Sequence, residues 1–157
     1  MNGRLESELK LANFIRKKLE NCPAFVKEWE LSLEASQKTG ETRRDYLGKV
    51  IKFLKTINND IRDIEPSNIS YQNVAKYFIS IQTKNCSNDC VANTSDSYKQ
   101  GTWYALYSLL QFLKIRNYIS ENYLDTINKP KNNDLAKIND KRILLNSNDF
   151  KNILLAV

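Results

Sequence analysis

The chain has 157 residues, of which 41% are hydrophobic and 27% charged, and its net charge is +6. This length fits one domain plus a short extension, and the composition, with only 4 Gly and 3 Pro, argues against a disordered chain or a turn-rich β sandwich. Because no apolar run approaches the roughly 18 residues that span a bilayer, and the N-terminal segment is too charged for a signal peptide, we expect an all-α, cytoplasmic protein with no membrane partner.

The first two helices are predicted from the spacing of apolar residues. Residues 4–20 place apolar side chains close to a helical period, with charged residues off that stripe, which indicates an amphipathic helix. Pro23 suits the first turn of a second helix over residues 23–35. The predicted inward residues are Leu5, Leu9, Ala12, Ile15 and Leu19 in the first helix, and Phe25, Val26, Trp29 and Leu33 in the second.

The third helix has the clearest pattern, with Thr42 as its predicted N-cap and Asp45 three residues further on. At about 100° per residue, Arg44, Lys52 and Lys55 lie on the side opposite the apolar residues. One face of this helix is therefore expected to build a core, while the other presents positive charge. The apolar face consists of Tyr46, Val50, Phe53, Leu54 and Ile57.

Two more helices complete the predicted bundle. Residues 70–83 form a fourth helix, and residues 98–117 form a fifth that is apolar almost all round. A helix of the latter kind belongs in the middle of a bundle, so its aromatic residues are interpreted as core and not as platforms for stacking bases. The fourth helix is expected to bury Val74, Tyr77, Phe78 and Ile81.

The C-terminal quarter of the chain is more polar than the predicted bundle and is expected to lie largely outside it. A short helix over residues 120–127 leads into a polar, Asn- and Lys-rich segment at 128–143, which is predicted to be an interdomain linker. Residues 144–157 then open a new amphipathic helix whose apolar face has no partner in the chain. We expect this helix to start a second domain, of which the remainder has been removed.

The cysteines give no indication of a metal site or a disulfide framework. There are three, Cys22, Cys86 and Cys90, an odd number that fits a reducing compartment. Cys86 and Cys90 have C-x-x-x-C spacing, but zinc commonly takes four ligands and the chain contains no histidine. We expect no metal, no cofactor and no small-molecule ligand.

Positive charge is concentrated in four stretches, at 39–57, 70–84, 96–118 and 128–142. The first alone carries five Lys or Arg against two acids, whereas the residues outside the four stretches are net negative. Such segregation is typical of a protein that binds a polyanion, because neutralising phosphates releases condensed counterions. A basic surface that serves only solubility is the alternative interpretation.

These elements resemble the core-binding domain of tyrosine recombinases of the phage-integrase type, also called the SAM-like integrase N-terminal domain. Thr39, Thr42, Tyr46, Val50 and Phe53 are similar to the S-x-x-T-x-x-x-Y-x-x-x-L-x-x-F signature of that family's second helix. The segment SLLQFLKIRNYISENYLDTINKPK resembles the family's last core-binding helix, its short following helix and its linker, and LLNSNDFKNILLAV resembles the first helix of the catalytic domain.

Two positions depart from the family pattern. Asn122 and Tyr123 stand where the family usually has Asn-Pro, and Tyr107 stands where a basic residue is frequent. These departures weaken the transfer of residue roles in the last helix.

The resemblance implies a four-to-five-helix orthogonal bundle over residues 23–127, with residues 1–22 as an extra N-terminal helix. In the family this domain and the catalytic domain close around duplex DNA as a clamp, and tetramers form, so the expected partners are double-stranded DNA and, where the protein assembles on it, other copies of the recombinase. The chain ends before the family's catalytic residues would appear. We therefore expect DNA binding without cleavage here, and strand cleavage and rejoining in a longer parent protein.

Backbone phosphates are the predicted contacts, and they position a protein without reading sequence. Two other classes stay open: a DNA-binding regulator that has no catalytic half, and a helical module that binds an acidic protein. The predicted phosphate-contacting residues are Arg43, Arg44, Lys49, Lys52, Lys55, Lys99, Lys114, Arg116, Lys129 and Lys131.

Overall fold

The computed structural model describes residues 2–82 and 95–131, and within these ranges the chain is helical and contains no strand. The predicted all-α class is confirmed. None of the described helices is long and apolar enough to cross a membrane. The five helices are α1 (Asn2–Leu19), α2 (Ala24–Ala35), α3 (Gly40–Ile57), α4 (Tyr71–Gln82) and α5 (Asp96–Ile115), and short 3₁₀ turns cover Ile61–Asp63, Pro66–Asn68 and Tyr123–Thr126.

The core forms around α3 and α5, which make the most extensive contact in the bundle, while α1, α2 and α4 pack on their outer sides. Burying each large apolar side chain stabilises the fold by about 1.5–3 kcal/mol. The central position predicted for the fifth helix is therefore confirmed, although Tyr104 and Ile115 on its surface are 42% and 69% exposed. The apolar residues of these two helices that are 0% exposed are Val50, Phe53, Leu54, Ala105, Leu106, Leu109, Leu110 and Leu113.

The apolar stripe predicted for α1 is only partly correct. Ile15 is buried and Leu19 packs against the core, but Leu5 and Leu9 are 64% and 58% exposed. The face that meets the bundle instead includes Leu11, which fits against the bare backbone of Gly40. A Cβ atom at Gly40 would lie 2.7 Å from Leu11 Cδ2, so this close approach of α1 to α3 depends on a glycine.

The turn between α2 and α3 is fixed by backbone hydrogen bonds at both helix ends. Lys38 N–H donates to the Leu33 carbonyl and Gln37 N–H to the Glu34 carbonyl, which is the Schellman pattern, with Gln37 left-handed at φ 63°. Helix α3 then begins one residue after Thr39, whose hydroxyl accepts from Thr42 N–H at 3.2 Å. The prediction of Thr42 as N-cap was wrong by one turn, because Thr39 occupies that position.

Glycine at position 37 is expected to stabilise the protein. A left-handed conformation costs an L-residue roughly 1–2 kcal/mol, more than the extra entropy that glycine loses on folding, so Gln37→Gly should raise the free energy of unfolding by up to about 1 kcal/mol. Urea unfolding followed by circular dichroism measures this change. Gln72→Gly, at an exposed position in the first turn of α4, is the matched control and should lose up to about 1 kcal/mol. A loss at position 37 as well would contradict the prediction.

The chain leaves α5 through a second Schellman turn at Asn117 and returns to pack on the same helix. Asn122 is buried, donates to the Tyr107 carbonyl and to Gln111 Oε1, and accepts from Leu124 N–H. The short helix predicted over residues 120–127 is the 3₁₀ turn Tyr123–Thr126. Asn122 thus ties the end of the bundle to α5.

Several sequence predictions fall outside the described residues. These are the helix at 144–157, the linker from residue 132 onward, and the pair Cys86 and Cys90. Cys22 is described: it is buried, its thiol donates to the Lys18 carbonyl, and burial raises its pKa to about 11.

Candidate functional site

An open groove runs between α1 and α3 and reaches the first turn of α5. Its apolar floor includes Leu47 and Ile51 of α3, while its rim consists mainly of Lys and Arg side chains. Among the described residues that line it, Asp45 is the single acid. We call this surface the basic groove, and it is lined by Phe14, Lys18, Arg44, Asp45, Leu47, Gly48, Lys49, Ile51, Lys52, Lys55 and Tyr98.

Aromatic rings hold three of the groove cations. Lys49 Nζ and Lys52 Nζ lie 5.7 Å and 5.2 Å from the centre of the Tyr98 ring, and Lys52 also donates to the Tyr98 hydroxyl at 3.3 Å. Across the groove, Lys18 Nζ lies 5.6 Å from the Phe14 ring. Each contact of this kind contributes about 0.5–1 kcal/mol at an exposed site, so the rings orient the ammonium groups without neutralising them.

The charge of the groove stays largely uncompensated. Arg44 Nε lies 3.5 Å from Asp45 Oδ1, but both side chains are about half exposed, and surface pairs of this kind contribute little. The ion pairs that form within the described residues do not involve Lys18, Lys49, Lys52 or Lys55. Bringing like charges together is unfavourable unless an anion joins them, so the groove has the electrostatics of an anion-binding surface.

Arg43, one residue before Arg44, lies outside the groove lining and faces α2. Its Nε donates to Glu30 Oε1 at 2.6 Å and its Nη2 to Glu34 Oε2 at 3.4 Å, and its side chain is only 16% exposed. Glu30 is 2% exposed, and among the described residues its second oxygen has no hydrogen-bond partner. Arg43 is therefore a structural residue that joins α3 to α2, because a buried carboxylate requires a cation.

Burial raises the pKa of Glu30, and the hydrogen bond from Arg43 only partly opposes this effect. A raised pKa means that the folded protein holds this proton more tightly than the unfolded chain does. The carboxyl therefore favours folding at pH values below its ordinary pKa of 4.5, and this contribution is lost as the pH rises through the raised value.

We expect Glu30→Gln, which cannot ionise, to lack this pH dependence. The free energy of unfolding of the wild type, measured relative to that of Glu30→Gln, should decline as the pH rises above about 4.5 and then become constant. Urea unfolding of both proteins across a pH series measures the difference. A difference that grows with pH would mean that the pKa of Glu30 is lowered on folding and not raised.

Lys99 also lies outside the groove lining, and the structure leaves it only 9% exposed. It follows Tyr98 in the first turn of α5, where it turns toward the bundle instead of the groove. Lys114 and Arg116 are exposed, but they lie at the other end of α5, about 24–27 Å from Tyr98 along a helix that rises 1.5 Å per residue. Arg116 Nη2 there lies 3.8 Å from Glu28 Oε2.

Lys129 and Lys131 follow the last 3₁₀ turn and are exposed. Lys129 Nζ lies 2.8 Å from the Tyr104 hydroxyl and 5.0 Å from the centre of its ring, so the segment after the bundle is attached to the outer face of α5. Of the ten predicted cations, the structure therefore brings together Arg44, Lys49, Lys52 and Lys55 in the groove.

Sequence reasoning missed Lys18, Phe14, Tyr98 and Gly48. The first three come from α1 and α5, and their part in the groove depends on how those helices pack against α3. Gly48 could have been singled out from the sequence. A glycine within a helix destabilises the fold by about 0.5–1 kcal/mol relative to alanine, so its presence there indicates a packing or functional role. It lies between Arg44 and Lys52, each one helical turn away, in the stripe of α3 that presents the charge.

Comparisons with protein-family models, with curated proteins and with solved structures found no match to this chain.

Proposed function

We propose that the chain binds the phosphate backbone of duplex DNA through the basic groove, as the core-binding part of a tyrosine recombinase of the phage-integrase type. The observation that carries the proposal is the convergence of Lys18, Arg44, Lys49, Lys52 and Lys55 on one open surface. These cations come from two helices, and rings of α1 and α5 orient three of them, Lys18, Lys49 and Lys52. Phosphate oxygens are among the ligands that Lys and Arg side chains bind strongly in such an arrangement.

The dimensions of α3 fit this ligand. From Arg44 to Lys55 the helix rises about 16 Å, which corresponds to roughly five base-pair steps of duplex at 3.4 Å each. A helix can also lie in the major groove, which is about 12 Å wide, with cations reaching the strands on either side. Contacts of this kind hold and position DNA, and sequence reading would come from other side chains.

The recombinase part of the proposal rests on the sequence resemblance. Val50 and Phe53 of the signature are buried and Tyr46 is partly buried, while Arg44, Lys52 and Lys55 are exposed on the other side of the same helix. A SAM-like orthogonal bundle needs this separation of a buried face from a charged face if the helix that carries the signature, α3 in this chain, is to face DNA. On this proposal the chain holds DNA and other copies of the recombinase assemble on it, whereas cleavage belongs to a catalytic domain beyond this sequence.

The test is fluorescence anisotropy of a labelled duplex titrated with the full chain at several salt concentrations. If about six phosphates are neutralised, log K should fall with log salt at a slope near −5. Changing Arg44, Lys52 and Lys55 together to Glu should lower the affinity at least 100-fold at low salt and flatten the slope. Binding by the wild type that does not depend on salt would contradict the proposal.

A variant with the same change in net charge is the control. Lys27, Lys38 and Lys76 are exposed and lie outside the groove lining, so changing all three to Glu shifts the net charge equally. This variant should keep most of the affinity. An equal loss in both triple variants would mean that overall charge, and not the groove, binds the duplex.

A helical protein-interaction module is the second candidate, because Leu5 and Leu9 expose apolar surface on α1. It predicts no binding to duplex DNA at moderate salt. A DNA-binding regulator without a catalytic half would bind DNA in the same way, and it is distinguished by a natural reading frame that stops near Val157.

A further inference from the structure

We infer that Gly48 is the point where a DNA backbone phosphate comes closest to α3, an inference that rests on the proposed function. A missing side chain at this position leaves a notch in the rim of the basic groove. A phosphate in the notch would reach the helix surface between Arg44 and Lys52 and would be held from both sides.

The helical glycines of α3 and α5 differ in what surrounds them. A Cβ atom at Gly40 would lie 2.7 Å from Leu11 Cδ2, and one at Gly101 would lie 2.6 Å from Lys49 Nζ, so each of these glycines has a side chain packed close to it. Gly48 is exposed and has nothing within 4 Å of the place where its Cβ would lie. Packing within the protein therefore does not require a glycine at position 48, although helix propensity disfavours one there.

The surroundings of Gly48 point to an anion. It lines the basic groove together with Arg44, Lys52 and Lys55, which share its side of α3, and with Lys18 of α1. Side chains extend the radius of a helix from about 2.3 Å at the Cα atoms to about 5–6 Å, so a glycine lowers the surface locally by about 3 Å. That depth lets a phosphate sit among the cationic ends instead of above them, where electrostatic attraction is weaker because the distance is larger.

The inference is tested with Gly48→Ala and Gly48→Leu in the full chain, using anisotropy with a labelled duplex at fixed low salt. Because both residues are better helix formers and the space is open, both variants should fold and have a Tm at or above that of the wild type. We expect DNA affinity to fall with side-chain size, about threefold for alanine and at least tenfold for leucine. Gln72→Leu, which adds the same apolar bulk at an exposed site on α4, should bind as the wild type does.

Failure of this inference is distinguishable from failure of the proposed function. If the wild type binds DNA in a salt-dependent manner and Gly48→Leu binds within twofold of it, the notch does not receive a phosphate. If the wild type does not bind, the groove is not a DNA site at all. If Gly48→Leu does not fold, the DNA affinities of Gly48→Ala and Gly48→Ser are measured instead. Unchanged affinity in both variants would overturn the inference.

Discussion

Replacing Arg43 by methionine should destabilise the protein by about 3–5 kcal/mol, because it leaves the carboxylate of Glu30 buried without its cation. Glu30 is 2% exposed, and Arg43 supplies its bond at 2.6 Å. A loss of that size is a large part of the 5–15 kcal/mol by which domains are usually stable. Urea unfolding at neutral pH measures it, and a loss below about 1 kcal/mol would mean that Arg43 does not support the buried carboxylate.

Two matched variants distinguish the loss of the buried ion pair from the loss of any positive charge on α3. The double variant Glu30→Met and Arg43→Met removes both buried charges and should be about as stable as the wild type. Arg44→Met, at the exposed neighbouring position, should leave stability almost unchanged but reduce the magnitude of the salt slope of DNA binding by about one. Arg43→Met, measured at a temperature where it is folded, should keep the wild-type slope.

Trp29→Ala is expected to cost about 3–5 kcal/mol, the range typical of large aromatic residues removed from a core. Trp29 is fully buried in α2, and its indole N–H donates to Ser108 Oγ of α5 at 3.1 Å. The substitution therefore leaves a cavity between the two helices and removes a hydrogen bond that joins them.

Trp103→Ala is the comparison for this prediction. Trp103 is only partly buried, stacks on Tyr107 and donates to the Ile127 carbonyl at the edge of the bundle. Its removal should destabilise the protein less than Trp29→Ala does, since the surroundings can collapse toward solvent more easily. Urea unfolding of both variants checks the order, and an equal or larger loss at Trp103 would contradict it.

The helices could be predicted from the sequence because each one buries apolar residues at a helical period. Phe25, Val26, Trp29 and Leu33 of α2 are all buried as predicted. The apolar stripe of α1 was predicted only in part, because a face with Leu5 and Leu9 overlaps one with Leu11. The close approach of Leu11 to Gly40 places the second face against the bundle. That contact joins residues far apart in sequence, which a local pattern does not register.

The groove could be predicted only in its α3 part. Arg43 and Arg44 are adjacent, and the rotation of about 100° per residue along the helix turns Arg43 toward α2 and leaves Arg44 exposed. The sequence does not show which of the two faces α2, because it does not show that Glu30 is buried beneath α3. The burial of Lys99 is hidden from the sequence for the same reason, because it follows from the way α5 packs. Lys18 and Tyr98 join the groove through contacts between helices, which charge counting along the chain does not find.

The position of Lys18 has a thermodynamic consequence for α1. The exposed Leu5 and Leu9 leave α1 attached to the bundle mainly through its second half, which carries Lys18, so local detachment of that half opens the whole helix. Any anion that engages Lys18 together with the α3 cations binds only the closed form, and by mass action it shifts the equilibrium toward that form. Amide hydrogen exchange in α1 would then slow with ligand concentration, which makes this helix a direct reporter of groove occupancy.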